Sequence, residues 1–171
     1  MTGLAFVPRP VQADQPVELR FTHSGRVDFF ATGAPLAIDG PDNDSTQVDI
    51  DAQPATLNIP ASELPAGAQI RQAFIYWGGS ISNADCDGSN IDSDILFTPP
   101  GASAAPLEAD TCYCSDAGAQ SYDVQLCRAE ITSQLSDGVG DYTVEGFDAL
   151  INNGSTNNAS FSIVLVYTES G

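Results

Sequence analysis

The 171-residue sequence contains no lysine, one histidine and five arginines. Without lysine there can be no Schiff base, no Walker-type phosphate loop and no Lys–Asn isopeptide crosslink. Nucleophilic catalysis needs a base beside Ser or Cys. His23 is the only histidine, no G-x-S-x-G occurs, and no enzymatic activity is expected. His23 reads as an exposed turn residue. No apolar run reaches the ~18 residues that a membrane-spanning helix needs. The opening MTGLAFVPRPVQA lacks a basic start and is interrupted by Pro8 and Pro10, so it does not read as a secretion signal. It is expected to be an added start on a mature chain or an excised fragment. Acidic residues are plentiful: 23 Asp and Glu give a net charge of −18. That field repels phosphate backbones and anionic lipid, so no nucleic-acid partner is expected.

Apolar residues make up 42% of the chain, enough for one globular domain with a real core. The four cysteines are Cys86, Cys112, Cys114 and Cys127. An even count in a Gly-, Pro- and Ser-rich acidic chain fits two disulfides and an oxidising, extracellular compartment. Cys112 and Cys114 point to opposite faces of an extended segment, so they are expected to bond to Cys86 and Cys127 in one order or the other. A zinc site is the competing reading, but the spacing is C-x-C and the histidine is remote.

The chain is organised around Ile70 to Gly79, IRQAFIYWGG. Its β-branched and aromatic residues suit a pleated surface, and polarity vanishes from Ala73 to Trp77. That predicts a central strand, buried on both faces, that stops at a Gly78-Gly79 turn. Phe74, Tyr76 and Trp77 are expected core residues; the competing reading for Trp77 is an exposed sugar-stacking ring. Ala159 to Thr168 predicts a second long core strand carrying Phe161, Val164 and Val166. Residues 1–16 read as an arm or edge strand, and 17–171 as one domain. VELRFT (17–22) and RVDFFAT (26–32) read as a hairpin. Cys112 to Gln120 reads as a disulfide-pinned loop. Tyr122, Val124 and Leu126 form the apolar side of an alternating strand. Ile131 and Leu135 stand at i, i+4, which predicts a short helix near 128–135. Strands at ~8–12-residue spacing predict an all-β, jelly-roll-like β-sandwich.

The series IRQAFIYWGGS, DILFTPPG, YDVQLCRAEITSQL, GDYTVEGF and ASFSIVLVYTE resembles a β-sandwich module of large bacterial surface and secreted proteins. In that pattern strands like AYLYWGGS, ADVT, G-YTV and WSLVVVYE recur in this order. The match covers roughly residues 68–169. This chain has RAEIT in place of ADVT, and Phe161 where Trp is common. The resemblance implies a structural role at the cell surface or outside the cell, with no enzymatic one. The module's chain usually continues beyond the last of these strands. Here either the N-terminal 60 residues complete the sheets or another chain supplies a strand.

Two functions are therefore expected to compete. The first is a structural subunit of a surface assembly or filament, joined to itself or to other surface proteins by strand exchange, with the N-terminal arm as the exchanged strand. The second is a calcium-dependent carbohydrate-binding or adhesin domain. Its calcium ligands would be Asp85, Asp87, Asp92 and Asp94, because closely spaced carboxylates in a flexible loop suit a 6–8-oxygen shell. Tyr113 or Tyr122 would stack on a glycan.

Overall fold

The computed structural model describes residues 12–13, 19, 21–40, 50–82, 91–115, 122–151 and 158–169. Twelve strands follow one another: β1 Gln12–Ala13, β2 Val27–Pro35, β3 Ala37–Ile38, β4 Ile50–Asp51, β5 Ala55–Ile59, β6 Gln69–Ser82, β7 Asp94–Thr98, β8 Ala105–Glu108, β9 Thr111–Ser115, β10 Tyr122–Glu130, β11 Gly140–Glu145 and β12 Ala159–Thr168. The larger sheet has the order β1-β9-β10-β6-β12-β2, the smaller β5-β11-β7-β8, and β3 pairs with β4. All pairings are antiparallel except β1 on β9. The fold is an all-β sandwich, and no helix among the described residues is long and apolar enough to cross a membrane.

The core lies between the two sheets. Ala73, Ile75, Trp77, Phe161, Ile163 and Leu165 enter it from the larger sheet, and Ile59, Ile95, Phe97, Tyr142 and Val144 from the smaller. Alternation along each strand sets this, because successive side chains point to opposite faces. Tyr142 is fully buried, and its hydroxyl donates to the Gly138 carbonyl at 2.8 Å. Trp77 is fully buried as well, so it is a core residue and not a sugar platform.

The central strand does not end at Gly78-Gly79. It runs for 14 residues to Ser82, with β10 paired along one side and β12 along the other. Neither glycine is needed for a turn. A Cβ on Gly78 would strike the Gln125 carbonyl oxygen, and one on Gly79 the Asn158 carbonyl oxygen. Glycine is there because the flanking backbones come so close.

The expected helix near 128–135 is a single 3-10 turn, Thr132–Gln134. Arg128 to Glu130 stay in β10, opposite Tyr76 to Phe74. The turn is held by Thr132, whose Oγ1 accepts from the Ala73 N–H at 2.9 Å. The segment from Cys112 to Ser115 is strand β9 and not loop. Of the expected hairpin of 17–22 with 26–32, residues 17, 18 and 20 lie outside the described residues. Residues 21–24 are not strand, and β2 pairs with β12 instead. All of 14–18 lies outside the described residues, as do 1–11 of the arm.

Cys112 and Cys127 form a disulfide between directly paired positions of β9 and β10, with Cα atoms 4.0 Å apart. Cys114 is disulfide-bonded too, and Cys86 lies outside the described residues. A crosslink spanning 15 residues restricts the unfolded chain by about 3 kcal/mol.

Gly79→Ala should lower stability by about 3 kcal/mol, because the displaced atoms are backbone and cannot repack. Gly101 has a positive φ but open space around it, so Gly101→Ala should lose only about 1 kcal/mol. Urea unfolding of both variants measures this, and equal losses would refute the close-approach account.

Candidate functional site

The expected calcium loop is described only in part. Asp85 and Asp87 lie outside the described residues. Asp92 is half-buried and bound on both its backbone and its side chain. The Gln125 side-chain amide closes two hydrogen bonds on it: the Asp92 N–H donates to Gln125 Oε1 at 2.9 Å, and Gln125 Nε2 donates to the Asp92 carbonyl at 2.8 Å. Trp77 Nε1 donates to the same carbonyl at 3.4 Å. The Asp92 carboxylate accepts from the Asp148 N–H at 2.6 Å. Burial pushes the Asp92 carboxyl above its ordinary value; the Asp148 N–H opposes this, and the Asp94 and Asp148 carboxylates add to it. Asp94 is exposed at the start of β7, opposite Glu108. Among the described residues, no three His, Cys, Asp or Glu side chains converge as a metal would require.

A second glutamine repeats the clamp. Gln53 Oε1 accepts from the Phe147 N–H at 2.9 Å, and Gln53 Nε2 donates to the Phe147 carbonyl at 2.8 Å. Since Asp92 holds Asp148, the two clamps tie the segments before β7 and after β11 together.

The clamp at Gln125 reverses the expected side of β10. Asp123 and Gln125 are the buried residues, while Val124 is 37% and Leu126 46% exposed. They lie on the outer face of the larger sheet, and so do four of the six expected core residues. Phe74 and Val166 are buried there, and Tyr76 and Val164 half-buried; only Trp77 and Phe161 reach the inter-sheet core. The Phe21 ring stacks on Phe74 at 5.1 Å, and the Arg128 guanidinium lies 5.3 Å from the centre of the Phe74 ring. Arg128 Nε is buried with no hydrogen-bond partner among the described residues, so the ring contact holds this group. His23 is exposed on the same side, and its Nε2 donates to Gln72 Oε1 at 2.9 Å.

This face differs in charge from the rest of the chain. Its paired outward positions include Tyr113, Val124, Leu126, Tyr76, Ser160, Ser162, Val164, Ala31 and Phe29. The charged ones are Arg128 and Glu130. At its foot a polar cleft of about 420 Å³ holds Arg26, Arg71, Gln69, Thr168 and Glu169. The outer face of the smaller sheet carries Asp94, Glu108, Asp141 and Glu145 with no base. Tyr113 is half-buried on the larger face, and the side chain of Tyr122 lies outside what is described.

Comparisons with protein-family models, curated proteins and solved structures returned no match. The resemblance to surface modules therefore rests on the core motifs alone.

Asp92→Asn should keep the hydrogen bond to Asp148 and remove a disfavoured charge. A carboxyl whose pKa is raised by folding binds its proton more tightly when folded. Its penalty therefore grows as pH rises from 3.8 toward the raised value, and then stays constant. The variant should match or exceed the parent in stability at neutral pH, and the difference should vanish in acid. Thermal melts across pH measure this; a variant clearly less stable at neutral pH in the presence of chelator overturns it. Gln125→Leu should lose about 1–3 kcal/mol in urea unfolding, since it strands the Asp92 N–H and leaves the Asp92 carbonyl only the longer bond from Trp77.

Proposed function

We propose that the chain is an extracellular structural module, a subunit of a surface assembly or filament that associates through the larger sheet. One observation carries this reading. In a protein of charge −18, the described strands of the larger sheet put one acid and one base on their outer face, Glu130 and Arg128, while those of the smaller sheet put four acids and no base on theirs. Solvation alone gives no reason for that segregation. Contact with another protein does, because interface cores are depleted in charge and enriched in aromatic residues and arginine. The disulfide suits an oxidising compartment.

The arm contributes as well. Gln12 and Ala13 pair in parallel with Tyr113 and Cys114 on the β9 edge of their own sheet. The same backbone groups could be met by a neighbour's arm, which is strand exchange in its simplest form.

The calcium-dependent glycan or adhesin reading draws on residues of different faces. Tyr113 lies on the outer face, while Gln125 holds Asp92 from the inner side.

Light scattering after size exclusion, with negative-stain microscopy, tests the proposal at low and high salt, with and without calcium. Oligomers or filaments should form and should strengthen with salt, which screens the repulsion of like-charged copies. Deleting residues 1–16 should weaken or abolish them. A monomer under every condition overturns the proposal. Association that appears only with calcium favours the adhesin reading instead.

A further inference from the structure

Arg71 reaches the polar cleft at the foot of the larger sheet because of an irregularity in the ladder. Val166 pairs with Gln72 but Tyr167 pairs with Ile70, so β6 carries Arg71 as one extra residue. By strict alternation from Ala73, position 71 would point into the core. The bulge gives that side to Ile70, which packs against the core cluster, and leaves Arg71 exposed in the cleft. Bulges recur beside functional sites, where they re-aim a side chain. Across three strands Gln69, Thr168 and Val27 stand side by side. Arg26, which precedes Val27, lines the same cleft.

Two of the five arginines therefore share one cleft. Like charges in one cleft repel each other, and a chain with 23 acids has carboxylates enough to pair both. Yet neither guanidinium has an ion pair or hydrogen bond among the described residues. Glu169 lines the cleft too and pairs with neither. Stability gives no reason for this grouping; an anionic ligand does.

The lining selects the ligand. Guanidinium forks bind carboxylates and other oxyanions through paired N–H groups. Two arginines against Glu169 leave one positive charge unmatched, which suits a monoanion over a phosphate dianion. No aromatic or large aliphatic side chain lines the cleft, so a hydrocarbon tail finds nothing to pack on. Ser24, Gln69 and Thr168 present hydroxyl and amide groups instead. The volume of about 420 Å³ falls within the size range of small-molecule sites.

We propose that this cleft binds, without calcium, a hydroxylated monocarboxylate of the sugar-acid class. Arg26 and Arg71 take the carboxylate, and Ser24, Gln69, Thr168 and Glu169 take the hydroxyls. The site stands whether or not the chain assembles. The field of a chain of charge −18 opposes polyanions. The ligand is therefore a single acidic sugar, free or at the end of a glycan, and not a polyuronate.

Saturation-transfer NMR on the full chain tests this, because it reads the ligand and works on monomers and assemblies alike. The probes are sodium glucuronate, methyl glucuronide, glucose, acetate and inorganic phosphate, at low salt with chelator. Glucuronate should bind with a Kd of about 1 mM, and glucose, acetate and phosphate more weakly. Methyl glucuronide binding as well as glucuronate upholds the site and assigns a glycan end; binding of the free acid alone upholds it and assigns the free sugar. Arg26→Gln and Arg71→Gln should each weaken glucuronate about tenfold, with melting temperatures unchanged. Glu169→Gln should narrow the gap between phosphate and glucuronate. No glucuronate binding, equal binding of glucose, or undiminished binding in both arginine variants overturns the site. Phosphate binding more tightly than glucuronate to the parent overturns the monoanion assignment. Acetate binding as tightly as glucuronate overturns the sugar class and points to an acidic side chain of a partner protein.

Discussion

Three backbones meet at Gly78 and Gly79 with no room between them for a side chain. This close approach fixes the middle of the larger sheet, and much of the molecule follows from it. With Gln125 held against Gly78, the parity of β10 is set: Asp123, Gln125, Cys127 and Ala129 face inward. Cys127 then meets Cys112 across the ladder. Gln125 is left inside with a side-chain amide that must be satisfied, because an unpaired buried amide is expensive. It answers that need by binding the backbone of Asp92, and Asp92 in turn binds Asp148. A steric constraint in one strand thus reaches the loops at one end of the sandwich through a single polar side chain. Gln53 does the same for Phe147. A side-chain amide has the donor and acceptor of a peptide group, so each glutamine acts as a one-residue strand partner for a segment that has none.

Most of the strands were legible in the sequence because their alternation is strong. Val48-Ile50, Ala55 to Ile59, Tyr142-Val144 and the run from Ala159 to Thr168 follow the period of two, though only Ile50–Asp51 of the first segment is described. The site was less legible, and β10 shows why. Val124 and Leu126 look like a core face when read from composition. One residue of slip in a strand exchanges the faces entirely. Cys127, Ala129 and Ile131 carry the opposite parity, and they are the inward residues. Reading Ile131 with Leu135 as a helix hid this continuation, although a strand extended through Ile131 would have placed Gln125 inside. The same error made Phe74 and Val166 look like inter-sheet core, since a residue can be buried on an outer face when another segment covers it, as Phe21 covers Phe74. The cluster of Phe74, Phe21 and Arg128 joins parts of the chain far apart in sequence, and no local pattern announces it.

The charge distribution joins fold to function. Mutual repulsion between copies of charge −18 acts over about a Debye length, roughly 10 Å at 0.1 M salt. Contact energy would act at the outer face of the larger sheet itself, where Arg128 lies over the Phe74 ring and the paired outward positions are mostly apolar or hydroxylated. The two effects separate by distance: like-charge repulsion reaches through solution, whereas contact energy acts only between touching surfaces. On the proposed reading, association sets in when salt or crowding on a surface removes the long-range term. The placement of the acids makes this possible. Were the outer face of the larger sheet as acidic as that of the smaller one, the same net charge would oppose contact at every distance.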